Sequence, residues 1–150
     1  MFRLKTYGGF LISQIRQIGN RTFERILRDS GIDAFNGPQG RILYVLWEHE
    51  NLSITDIAKL TSLANTTLTG MLDRMESQGL IVRVPDKQNR RKIIIQTTPE
   101  AEKLRTAYDE VSEKTNGIFY AGFTEDEITY FEDTLRRILK NFEERENNEK

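Results

Sequence analysis

Asn65, Thr66, Thr67, Thr69 and Arg74 form a run of small amide and hydroxyl groups that ends in one cation, and Arg90, Arg91 and Lys92 follow as a basic cluster. Such side chains suit one chemistry well. Short polar groups hydrogen-bond the edges of bases, and guanidinium and ammonium groups neutralise phosphates. The spacing places the first set on a helix. Leu68, Leu72 and Met75, with Met71 flanking, recur at i, i+4 and i+7 and define its apolar side. The polar row, with Gly70 in it, falls on the opposite side, where a backbone close to a groove floor needs small residues.

The elements that must hold these residues read clearly over residues 53–97. A short helix opens with Ser53 as N-cap and Asp56 three residues on, the spacing of a capping box, and its apolar face is Ile54, Ile57, Ala58 and Leu60. Thr61 and Ser62 break that pattern. A second helix is expected over residues 64–78, stopped by Gly79 in the C′ position. Two strands are expected at 80–84 and 92–97, joined by Pro85, Asp86, Lys87, Gln88, Asn89, Arg90 and Arg91. Two helices at a turn followed by a hairpin with a basic tip make a winged helix-turn-helix. In that arrangement the N-terminal half of the second helix meets base edges in the major groove. The hairpin lies along the backbone, where one guanidinium reaches the minor groove.

Those residues resemble the MarR family of bacterial and archaeal transcriptional regulators. The leucine-alanine pair of the family's first helix is met by Ile57-Ala58. Its recognition-helix pattern is met by Asn65-Thr66-Thr67-Leu68-Thr69, then Met71-Leu72-Asp73-Arg74-Met75-Glu76 and Gly79-Leu80-Ile81. Its wing is met by Asp86 and Asn89-Arg90-Arg91. Three departures stand out. Asn89 replaces an aspartate that would pair with arginine to brace the wing, and Gly70 replaces a long side chain that would make a direct base contact. Thr97-Thr98-Pro99-Glu100-Ala101 matches the family's wing exit only loosely. The resemblance implies DNA contacts from Ser53, Asn65, Thr66, Thr67, Thr69, Gly70, Arg74, Arg90, Arg91 and Lys92. It also implies dimerisation through the terminal helices, repression as the commoner role, and a small anionic aromatic or phenolic effector at the junction of dimerisation and winged regions. That junction would draw on Phe10, Gln14, Tyr44, Trp47, Leu104 and Tyr108, which otherwise read as core aromatics and their neighbours.

The rest of the chain frames this head. A first helix is expected over 7–29, with Phe10, Leu11, Ile15, Ile18, Ile26 and Leu27 as its stripe and Gly8, Gly9 and Gly19 lowering its intrinsic stability. Pro38 opens a second in the N1 role, running to His49 with Ile42, Leu43, Val45, Leu46 and Trp47 inside. Beyond the wing, Thr98 caps a long helix over 99–121, and Thr124 with Glu127 caps the last one. Ile128, Phe131, Leu135, Ile138, Leu139 and Phe142 run along that last helix, and a charged tail over 143–150 is expected to fray. The first and last helices carry more apolar surface than one small core needs, and helix-turn-helix proteins read two half-sites as symmetric dimers. The expected fold is therefore mainly α with a small β-wing. Residues 37–98 form a winged helix-turn-helix lobe, and 1–36 with 99–150 form a helical dimerisation lobe.

Charge distribution agrees with this division although the net charge is only −1. Residues 53–97 hold 7 Lys/Arg against 4 Asp/Glu, a net +3, and residues 98–150 hold 8 against 14, a net −6. Positive charge thus sits where phosphates would. Cysteine is absent, which excludes a disulfide, a thiol redox switch and a Cys-based metal site. His49 is the sole histidine and reads as a partner of its helix's carboxyl end, so neither a catalytic constellation nor a cofactor is expected. With no apolar run of signal-peptide or membrane-spanning length, the expectation is a cytoplasmic protein that makes no membrane contact. The expected partners are a second copy of the chain, double-stranded DNA carrying a pseudo-palindromic operator, and the effector. The alternative is a winged-helix module that engages proteins rather than DNA, kept open by Gly70 and Asn89.

Overall fold

The structure, a computed structural model, describes residues 4–149. The expectations that reach residues 1–3 and Lys150 lie outside the described residues. In chain order the elements are α1 (Gly8–Asp29), α2 (Gly37–Glu48), α3 (Ile54–Thr61), α4 (Asn65–Ser77), β1 (Ile81–Pro85), β2 (Ile93–Thr97), α5 (Pro99–Glu102), α6 (Arg105–Phe119) and α7 (Glu125–Glu149). The chain forms two compact units, the first running to Thr115 and the second beginning at Asn116.

Local chemistry accounts for the helix boundaries of the first unit. Asn36 and Gln39 close a capping box: Asn36 Oδ1 accepts from Gln39 N at 2.9 Å and Gln39 Oε1 accepts from Asn36 N at 3.1 Å. This box starts α2 at Gly37, one residue before the proline expected to open it. The expected Ser53–Asp56 box is present, with Ser53 N donating to Asp56 Oδ2 at 2.9 Å and Asp56 N to Ser53 Oγ at 3.2 Å. Ser62 ends α3 in the left-handed region at φ 58°. Gly79 ends α4 at φ 79°, and Leu80 N donates to Met75 O at 2.9 Å across it, the bond of a Schellman turn.

Ile42 and Leu43 of α2, Ile57 of α3, Leu68, Leu72 and Met75 of α4 and Ile81 of β1 are buried together in one core. Each fully buried aliphatic side chain contributes about 1.5–3 kcal/mol relative to exposure. The antiparallel strands pair from Ile81↔Thr97 to Pro85↔Ile93, and Leu52 bridges Ile95 on the other side. Ile95 N donates to Leu52 O at 2.9 Å, so the segment before α3 is tied to the wing.

Three expectations change. The helix expected over 99–121 is two helices, because the chain turns at Lys103-Leu104, where Leu104 N bonds Ala101 O three residues back. Ala101 is fully buried and holds α5 in place. The segment 143–149 does not fray but continues α7, stapled by an Arg145–Glu149 pair one turn apart. Along α1 only Leu27 is buried, and Phe10, Leu11, Ile12, Ile15 and Ile18 stand exposed. In the second unit, Phe119, Tyr120, Phe123 and Phe131 cluster, and Tyr120 donates its hydroxyl proton to Glu132 at 2.6 Å. Desolvation, and after it that hydrogen bond, push the Tyr120 hydroxyl up to about 12, so it stays protonated and keeps the bond at neutral pH.

Two helical glycines separate propensity from packing. A Cβ on Gly40 meets the Tyr108 ring at 2.8 Å and the Phe35 ring at 2.9 Å, whereas a Cβ on Gly70 meets nothing within 4 Å. Alanine gains about 1 kcal/mol of helix propensity at either site. Overpacking against two buried rings costs about 1–3 kcal/mol. Urea denaturation is therefore expected to find Gly70→Ala more stable than the parent and Gly40→Ala less stable.

Candidate nucleic-acid interface

The buried stripe of α4 fixes the rotation of that helix. With Leu68, Met71, Leu72 and Met75 inward, Asn65, Thr66, Thr67, Thr69, Gly70 and Arg74 are all exposed. The candidate reading residues thus share one open surface, and among the described residues Arg74 enters no ion pair. Ala64 stands at the N-cap and supplies no side-chain bond, unlike Ser53 at the head of α3.

The wing tip is shaped by two short polar side chains. Asp86 Oδ1 accepts from Gln88 N at 3.1 Å, and Asn89 Oδ1 accepts from Arg91 N at 3.2 Å. Backbone bonds from Asp86 N to Lys92 O and from Lys92 N to Asn89 O close the loop. Asn89 therefore organises the tip through the backbone of Arg91, a task its amide performs as well as a carboxylate would. Arg90 and Arg91 are exposed and, among the described residues, form no ion pair. Lys92 differs. Its Nζ lies 3.9 Å from Asp56 Oδ2 at the head of α3.

Ser53 is positioned by its capping role, since its hydroxyl already accepts the Asp56 N–H. The N–H of Ser53 holds the Asp56 carboxyl below the usual carboxylate range, helped by the Ser53 hydroxyl and by Lys92 and Lys59, against the opposing effect of burial.

One residue of this surface escapes the sequence pattern. Arg83 on β1 reaches α4 with a forked guanidinium, Nη1 to Glu76 Oε1 at 2.7 Å and Nη2 to Asp73 Oδ1 at 2.8 Å. The strand expected at 80–84 includes Arg83 without giving it a role. The signal available was a carboxylate pair three residues apart on one helix face, followed after the Gly79 turn by an arginine.

The residues expected to line an effector site are brought together only in part. Tyr44, Trp47 and Tyr108 meet, with Phe23 and Phe35 completing a ring of aromatics whose centroids lie 5.7–6.0 Å from that of Tyr108. Leu104 is half-buried, packed against the same core. Phe10 and Gln14 are exposed on α1 and make no described contact with this group. Trp47 Nε1 is buried without a hydrogen-bond partner, a donor left unsatisfied. Elsewhere His49 caps α2 by donating from Nδ1 to Val45 O at 3.0 Å. Among the described residues no group of His, Cys, Asp or Glu is arranged to hold a metal, and no helix is long and apolar enough to cross a membrane.

The MarR family model matches residues 35–93. The HTH-type transcriptional regulator FarR of Neisseria gonorrhoeae is 32% identical over 103 residues, covering 69% of this chain and 66% of FarR. The uncharacterized HTH-type transcriptional regulator YsmB of Bacillus subtilis is 30% identical over 105 residues, covering 70% of this chain and 72% of YsmB. The chain spans 42–66% of the length of the first four curated relatives it matches. In three dimensions it is similar to the Staphylococcus aureus MepR in the MepR–DNA complex, with a TM-score of 0.78 at 24% identity, over 92% of this chain and 99% of that one.

The Asp56 box makes a pH-dependent contribution of definite sign. A carboxyl held below its ordinary value of 3.8 contributes stability that is complete above that value and is lost as pH falls through the folded-state value. The stability gap between the parent and Asp56→Ala, measured by urea denaturation, should be constant from about pH 8 to pH 5 and should close below about pH 4.

Proposed function

The chain belongs to the MarR family, and from that premise we propose that it is a dimeric, sequence-specific DNA-binding regulator of transcription. Its role is to repress until a small effector releases it. The observation that carries this reading is the open row from Asn65 to Arg74, together with a wing tip whose Arg90 and Arg91 are exposed and committed to no carboxylate among the described residues. The row enters the major groove and the tip follows the adjacent backbone. Asn65 pairs with an adenine edge in bidentate fashion, and Thr66, Thr67, Thr69 and Arg74 supply further base and phosphate contacts. Gly70 lets the α4 backbone come close while reading nothing itself. Ser53, Arg90, Arg91 and Lys92 hold the flanking phosphates.

Residues 37–98 act as the reading lobe in this proposal, and 1–36 with 99–150 as the dimerisation lobe. The exposed Phe10, Leu11, Ile15 and Ile18 of α1 and Ile138, Leu139 and Phe142 of α7 are what a second copy would cover. Such a protein works in the cytoplasm beside the chromosome and performs no catalysis. The site for the effector centres on Tyr44, Trp47, Leu104 and Tyr108; Phe10 and Gln14, exposed further along α1, make no described contact with it. An aromatic wall with one unsatisfied donor, Trp47 Nε1, suits a small aromatic acid or phenol.

Gel shifts against genomic fragments, with a salt titration, test the reading. A set of fragments retained at physiological salt supports it, and equal, weak binding to every fragment opposes it. The double variant Arg90→Ala/Arg91→Ala should bind all DNA more weakly and flatten the dependence of log affinity on log salt by about 0.9 for each phosphate that is no longer neutralised. Unchanged affinity would remove the wing from the interface. For the effector, a panel of phenolic acids should yield a compound that quenches Trp47, the only tryptophan, raises the melting temperature and weakens operator binding. A compound that stabilises the protein and leaves DNA affinity unchanged would make the aromatic cluster a packing feature.

A further inference from the structure

Asp73 and Glu76 put two carboxylates on a helix offered to DNA. Asp73 follows Thr69 by one turn and precedes Arg74, so its carboxylate borders the reading row. Both carboxylates are largely exposed, with side-chain accessibilities of 63% and 44%, and uncompensated they would repel phosphate. Arg83 engages both at once from β1, its own side chain only 23% accessible. The planar guanidinium meets two oxygens from carboxylates one turn apart, a geometry lysine cannot reproduce.

Arg83 also occupies a mechanical junction. It lies opposite Ile95 in the strand register, and Ile95 is the residue tied back to Leu52. Below the junction, Gly79 and Leu80 make a tight turn from α4 into β1. Thr98 donates its hydroxyl proton to Gly79 O at 2.6 Å and so fixes the end of β2 to the same turn. The root of the wing is thus held at the turn by backbone geometry. Further along the hairpin, the side-chain link to α4 is the Arg83 fork alone among the described ion pairs. The tip that carries Arg90 and Arg91 extends beyond it.

We propose that Arg83 is a positioning residue that sets sequence specificity: its fork to Asp73 and Glu76 fixes the spacing between the reading row of α4 and the wing tip, and withdraws two carboxylates from the approaching phosphates. This rests on the DNA-binding reading above and deepens it. A fixed spacing makes major-groove and wing contacts form together on one register of the duplex. When the fork is cut, the wing still finds phosphates but no longer in step with α4, so the penalty falls on the cognate site more than on arbitrary DNA.

The chain's lack of cysteine allows a direct test. Spin labels at Thr67→Cys and Lys87→Cys report the helix-to-tip distance by pulsed electron resonance without DNA. The parent should give one narrow distribution. Arg83→Met and the double variant Asp73→Asn/Glu76→Gln should broaden it, and Arg83→Lys should fall between. On DNA, Arg83→Met should lose roughly tenfold in affinity for a selected site, with a smaller reduction on random duplex. Thermal unfolding of the same variants, including Asp73→Asn/Glu76→Gln, checks that the reduction is not one of folding. A distribution as narrow in Arg83→Met as in the parent overturns the proposal. So does an equal reduction on both duplexes with a shallower slope, which makes Arg83 an ordinary phosphate ligand. If the parent itself binds no DNA selectively, the regulator reading fails and with it the specificity role. The distances then still decide whether the fork sets the spacing.

Discussion

Burial of one face of α4 governs the arrangement of everything around it. Leu68, Leu72 and Met75 have no accessible surface, and they lock the helix rotation against Ile42, Leu43 and Ile57. A rotation by one residue, about 100°, would bury Thr69 and expose Leu68, removing apolar packing and leaving a buried hydroxyl unpaired. Truncating one such leucine to alanine costs about 2–5 kcal/mol in comparable cores. The exposed row from Asn65 to Arg74 is the complement of that stripe. A surface able to read base edges is here a consequence of a core that permits only one orientation.

Around that fixed helix the polar contacts divide into those that shape and those that are left open. Asn36, Ser53, Asp86, Asn89 and Thr98 spend their side chains on backbone groups, defining helix starts and the wing tip. Arg83 and Lys92 are paired with carboxylates. Arg74, Arg90 and Arg91 are exposed and in no ion pair among the described residues, Arg74 at the end of the polar row and the other two at the wing tip. The separation is physically sensible, because a guanidinium already hydrogen-bonded to two carboxylates, as Arg83 is, gains little from a phosphate, while an exposed unpaired one releases counterions on meeting it. Lys92, 3.9 Å from Asp56 Oδ2, is paired loosely enough to turn to a phosphate.

Much of this is legible in the residues themselves. The Ser53–Asp56 spacing, the i, i+4, i+7 stripe of α4 and Gly79 each encode their outcome through short-range chemistry, and each stands as expected. The break at Lys103-Leu104 is not legible. No proline or glycine marks it, and the turn follows from the burial of Ala101, a tertiary effect that propensity does not contain. The helical character of 143–149 is masked by its charge, which points to a solvated tail unless the i, i+4 pairing is given more weight. The Arg83 fork joins residues seven and ten positions apart across a turn and needs the geometry of Gly79 to close, so periodicity within either element is silent about it. Phe23 and Phe35 join the Tyr108 cluster from outside the expected set for the same reason.

Whether α4 reads DNA as half of a symmetric pair is decided by a hydroxyl-radical footprint of the full-length protein on the duplex that it enriches from a random library. A dimer reading two half-sites through α4 predicts two protected patches related by a two-fold axis. Their centres should lie about 10 base pairs apart, or a whole number of helical turns, with flanking minor-groove protection from the wings. Protection of a single unpaired patch, or a library that stays random after selection, would contradict it.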